Sequence, residues 1–83
     1  MRGLLGHLKA TLYSPDSETA LAHLRNTFLN GERETSALTI ALVALDYEHD
    51  SLVPKMFALA RRDAYLLKEL CGQWRQLQRM HLG

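Results

Sequence analysis

Cysteine and tryptophan each occur once in this chain, and proline twice. Each shortage removes a class of answer. A lone Cys71 cannot close a disulfide within the chain, so apolar packing has to hold the fold, and the cysteine usage suits a reducing compartment. Its place in an apolar helical pattern makes it a core residue, because the only nearby cations to activate a thiolate are Lys68 and Arg75. The glycines form no phosphate-cradling loop, and Gly3 and Gly6 lack the strand-turn-helix setting that would give them such a role. The longest charge-free run, "TSALTIALVAL" from Thr35 to Leu45, has eleven residues. A helical membrane span needs about 20. The leucines of "MRGLLGHLKATLYSP" are interrupted by Gly6, His7 and Lys9, which breaks the apolar core of about 7–15 residues that defines a secretory signal. These absences lead us to expect a soluble, cytoplasmic protein.

What is present is enough for one small core. With 83 residues, 47% hydrophobic and 23% charged, the chain has the composition of a folded globular domain. We expect a single helical domain over residues 1–83, because two cores would leave neither half enough apolar area to offset its conformational entropy. A domain of this size buries only about 60–65% of its unfolded surface, so small chains of this kind often lean on disulfides, metals or a partner, and the lone Cys71 excludes the first of these within the chain.

Apolar spacing and helix punctuation predict an all-α fold, a small three- or four-helix bundle with a long C-terminal helix. A first helix runs from Leu4 to Tyr13 on Leu4, Leu5, Leu8 and Leu12. In "YSPDSE", Ser14 is read as a cap, Pro15 as the first helical position, and Asp16 and Glu18 as first-turn acids. The helix that follows carries Leu21, Leu24 and Phe28 on one stripe and stops at Gly31. "ERETS" restarts the chain, with Thr35 or Ser36 as the cap. The next helix holds Leu38, Leu42 and Leu45 on one stripe, with Ile40, Val43 and Tyr47 around the rest of its circumference, and ends near Asp46 or Tyr47. A helix without a polar face is surrounded. It is therefore read as the central core helix, with one side open to a partner if the weak first helix fails to cover it.

Asp50 or Ser51 caps the last and longest helix, and Pro54 falls in its first turn. From Val53 the residues Phe57, Ala60, Ala64, Leu67, Cys71 and Trp74 alternate steps of four and three, a heptad-like seam. A second line, Met56, Leu59, Leu66, Leu70 and Leu77, lies beside it, so the apolar face is double width. The helix is expected to run through Gly72 to about Met80, at a cost of ~1 kcal/mol relative to alanine.

Charge is divided unevenly along the chain. Residues 1–51 hold four basic side chains against seven acidic, a net −3, and residues 52–83 hold six against two, a net +4. On a continuous last helix Arg61, Lys68 and Arg75 recur every seven residues with Arg62 and Arg79 nearby, a basic stripe about four turns long. Such a stripe is either a solvated face or a contact for phosphates or an acidic protein surface. A pI of about 8.0 without a recognition motif is weak support for nucleic acid.

"DYEHD" is the one acidic cluster with a histidine. On a continuing helix Asp46, His49 and Asp50 would share a face as a divalent metal requires, but no third strong ligand is near and the segment reads as a turn, so no metal or other cofactor is assigned. His7, His23 and His81 are scattered, no serine or carboxylate pair has a catalytic setting, and no catalytic residue is assigned. We expect a non-enzymatic module for protein–protein interaction, such as an adaptor, regulatory connector, inhibitor or chaperone subunit. The partner is another protein or a second copy. The residues assigned to the interface are Met56, Leu70, Trp74 and Leu77, with Arg61, Lys68 and Arg75 orienting an acidic surface. The alternative is a small, dimeric nucleic-acid-binding regulator using the basic face of the last helix.

Overall fold

Apolar spacing, with side-chain caps at the starts of α2 and α5 but none at those of α1 and α4, divides the chain into helices whose order is α1 (Leu4–Tyr13), α2 (Ser17–Phe28), α3 (Thr35–Glu48), α4 (Leu52–Ala60) and α5 (Ala64–Leu82). The computed structural model describes residues 3–30 and 35–82, with side chains over 3–30 and 36–79. The expectations that fall on Gly31, on residues 32–34 and on the side chains of Thr35 and Met80 lie outside the described residues. Among the described residues there is no strand. The fold is all-α with a long C-terminal helix, as the spacing predicts.

The first helix has the predicted bounds and buries Leu8 and Leu12 completely. Thr11 is buried with them, and its hydroxyl donates to the His7 carbonyl at 2.9 Å, which satisfies that buried polar group. The start of α2 differs from the sequence reading. Asp16, not Ser14, is the cap: its carboxylate accepts from the Glu18 amide at 3.1 Å and from the Thr19 hydroxyl at 2.5 Å. Ser14 instead closes α1, its amide donating to the Thr11 carbonyl. A charged carboxylate with two acceptor oxygens answers both the helix dipole and the exposed amides, and so displaces a hydroxyl two residues earlier.

The predicted stripes of α2 and α3 are the core. Leu21, Leu24 and Phe28 of α2 and Leu38, Leu42 and Leu45 of α3 are all buried in one cluster, α1, α4 and α5 packing against both helices. α3 runs to Glu48, one to two residues further than expected. It is tied to α5 by a buried hydrogen bond, the Thr39 hydroxyl donating to Gln73 Oε1 at 2.9 Å.

The largest departure lies in the last third. The single helix expected from Val53 onward is two, α4 and α5, separated by Arg61, Arg62 and Asp63. Asp63 causes the break. One carboxylate oxygen accepts from the amides of Tyr65 and Leu66 at 3.0 and 3.2 Å, which starts α5 anew. The other accepts from Arg25 Nε at 2.5 Å, which fixes the corner to α2. Arg62 makes a second tie from the same corner to Glu18. Beyond the corner α5 continues through Gly72, as expected.

Candidate functional site

Turning the corner at Arg61–Asp63 lays α4 beside α5 and decides which apolar line faces inward. Met56, Leu70 and Leu77 are 0%, 1% and 3% exposed and belong to the core, together with Leu59 and Leu66. The sequence reading assigned Met56, Leu70 and Leu77 to a partner surface; in the folded chain the other helices cover them. The surplus apolar face of an unbroken helix is consumed because the break lets α4 contribute to the core rather than project beyond it.

Apart from Ala60, which is buried in the core, the seam stays at least partly outside. Val53 and Phe57 of α4 and Leu67, Cys71 and Trp74 of α5 are all partly exposed, neither core nor fully in solvent. Phe57 and Trp74 meet edge to face, ring centroids 5.4 Å apart and planes at 87°, an arrangement that suits the aromatic quadrupoles. This contact joins the two helices into one apolar strip. Helical rotation of about 100° per residue places Leu67, Cys71 and Trp74 on one line of α5, roughly a quarter turn from the buried line of Leu66, Leu70 and Leu77.

The next line around α5 is basic. Lys68, Arg75 and Arg79, all exposed, fall within about 40° of one another on the side away from the core. Arg61 does not extend this line, since it sits in the turn and outside the α5 register. The stripe of about four turns is thus shorter than expected and confined to α5. Two other cations of the region are already engaged, Arg62 with Glu18 and Arg25 with Asp63. The structure therefore brings together three of the seven assigned residues, Trp74, Lys68 and Arg75, leaves Arg61 at the corner and puts the other three inside.

Two charged groups are perturbed by their surroundings. Asp63 is held below the ordinary carboxylate range by its hydrogen bond from Arg25, then by the amide of Leu66. Asp16 is lowered by the Thr19 hydroxyl and the Glu18 amide. Both are helix caps, so these shifts describe folding rather than chemistry.

Other constellations do not assemble. α3 ends at Glu48, so His49 and Asp50 leave the helix and do not share a face with Asp46. Among the described residues no three His, Cys, Asp or Glu side chains gather as a metal ion requires. His7 and His23 stack across α1 and α2 with centroids 6.1 Å apart. Among the described residues no helix is long and apolar enough to cross a membrane.

Sequence reasoning missed the partial exposure of Val53 and Phe57 beside Trp74. Their signal was the step-of-four-and-three seam itself, which marks an apolar line but not which of two adjacent lines turns inward. No known family, curated protein or solved structure matches this chain.

Proposed function

We propose that this chain is a non-enzymatic protein-interaction module, an adaptor or regulatory connector of the cytoplasm. Its α4–α5 face receives an apolar helical segment of a partner protein that carries acidic residues along one edge. The observation that carries the reading is the adjacency of two lines on α5: Leu67, Cys71 and Trp74, partly exposed, beside Lys68, Arg75 and Arg79, which are exposed. Tryptophan and arginine are the residues most enriched where interface energy concentrates, and an apolar line with a cationic rim selects a partner of the opposite pattern. A surface for nucleic acid needs the cations but gains little from the apolar strip beside them.

The test is selection of a displayed library of helical peptides against the folded protein. The reading predicts enrichment of sequences with an apolar stripe and glutamate or aspartate beside it. It also predicts that Trp74→Ala and the pair Lys68→Glu, Arg75→Glu each weaken the selected peptides by about tenfold or more. Enrichment of basic or purely polar peptides would contradict it. So would tight, salt-dependent binding of duplex DNA that needs Lys68 and Arg75 but not Trp74, the pattern of the nucleic-acid alternative.

A further inference from the structure

A second apolar line lies on a different face, along the outside of α3. Its core side is Leu38, Leu42 and Leu45, yet Ile40 and Tyr47 on the opposite side are 63% and 71% exposed, with Ala37 exposed and Ala44 partly so between them. These four residues are spaced by three, four and three and form one stripe. Between positions 36 and 47 the only charged residue is Asp46, which is partly buried on another side of the helix. This is the charge-free run again, seen from solvent.

We propose that this face pairs with the same face of a second copy of the chain, the two α3 helices running antiparallel about a two-fold axis. Three features select that occupant. The spacing is palindromic: with the axis near position 42, position 40 falls opposite position 44 of the other copy, and position 37 opposite position 47. The sizes then alternate in the complementary sense, each large side chain (Ile40, Tyr47) opposite the other copy's alanine (Ala44, Ala37), whereas a parallel pair would set large against large. The third feature is charge. α3 has no acid in its first turn and no base in its last, and it carries Glu48 at its C-terminal end, where a carboxylate opposes the helix dipole. Antiparallel pairing brings the Glu48 carboxylate beside the N-terminal turn of the other α3, which favours negative charge. Between Ala37 and Tyr47 the stripe itself carries no charge, so over that length it meets its copy without repulsion.

The contact is small. A helix of 14 residues is about 21 Å long, and a single pair of such helices buries less than the roughly 800 Å² per partner of a standard interface. The dimer is accordingly a concentration-dependent one, and it leaves the α4–α5 face outside the contact.

Sedimentation across a concentration series tests the proposal, read for the unmodified chain, Ile40→Glu and Trp74→Ala. The expected result is a monomer–dimer equilibrium in the unmodified chain and in Trp74→Ala, and its loss in Ile40→Glu with helical circular dichroism unchanged. Retention by Trp74→Ala separates this face from the partner-binding one, so either reading can fail without the other. Cross-linking in a Cys71→Ser background fixes the register. Chains carrying Ile40→Cys and Ala44→Cys form a mixed disulfide on oxidation, as do Ala37→Cys with Tyr47→Cys, while Tyr47→Cys alone does not pair with itself. A monomer at every concentration to about 1 mM, a dimer that survives Ile40→Glu, or self-pairing of Tyr47→Cys in preference to the mixed pair would overturn it.

Discussion

Asp63 does two jobs with one carboxylate: it starts α5 and holds the corner to α2 through Arg25. Because its folded-state pKa is depressed, its contribution to stability is fully present above the unfolded carboxylate value of about 3.9 and is lost as pH falls through the lower folded value. Asp63→Asn keeps a competent cap but discards the charge. Its melting temperature is therefore expected below that of the unmodified protein at neutral pH, with the gap closing as the medium is acidified through that window. Asp63→Ala removes cap and charge together, so its deficit is larger and part of it persists in acid. Thermal melts at several pH values read both. Gly72 gives the opposite sign. It is exposed in mid-helix, and a Cβ built there meets nothing within 4 Å. Gly72→Ala is expected to stabilise by about 0.5–1 kcal/mol, some 2–8 °C in melting temperature for a domain of this size.

At the scale of elements, the helices were largely legible in the residues. Leu8 and Leu12, Leu21, Leu24 and Phe28, and Leu38, Leu42 and Leu45 are buried where their spacing put them, because each stripe is local to one helix. The α4–α5 corner was not legible. The steps of four and three run unbroken from Phe57 through Ala60 and Ala64 to Leu67, so periodicity carries the eye across the turn. Asp63 has the chemistry of a cap, but its strongest partner, Arg25, is 38 residues distant. The same long-range fact decided which line of α5 is inside, and hence the site. Trp74, Lys68 and Arg75 were picked from residue type and helix face, which are local. Met56, Leu70 and Leu77 were placed outside because an unbroken helix would have outreached its neighbours. The two lines of α5 make a contrast that stability measurements can read. Leu70→Ala, in the core, is expected to cost about 2–5 kcal/mol, whereas Leu67→Ala, one residue earlier on the partly exposed strip, is expected to cost about 1 kcal/mol. Equal losses in denaturant titrations would contradict the assignment of the strip to the surface.

Taken as a whole molecule, the chain closes on itself. Its radius of gyration is 11.8 Å, against about 12 Å for a closed domain of this length. The acidic first two-thirds and basic last third are joined at the corner by the ion pairs of Arg25 with Asp63 and Arg62 with Glu18. What the closed bundle leaves over is not a surplus of core but two narrow apolar lines on separate helices. The stripe from Ala37 to Tyr47 on the outside of α3 carries no charge and suits its own copy. The strip on α4 and α5 has a cationic border and suits something acidic. Placing both outside the core follows from five helices dividing a small apolar supply, with α3 and α5 each too apolar for the neighbours available to cover every side.

Trp74 is the chain's one tryptophan, so its emission reports on the proposed site without any label. The measurement we would make first is a fluorescence titration with a helical peptide that carries a leucine stripe edged by glutamates, beside a sequence-scrambled control. The account predicts a saturable blue shift of Trp74 emission with the striped peptide alone, weakened by added salt and by the pair Lys68→Glu, Arg75→Glu. Emission that does not move with the striped peptide, or moves equally with the scrambled one, would contradict the assignment of the α4–α5 face as the binding surface.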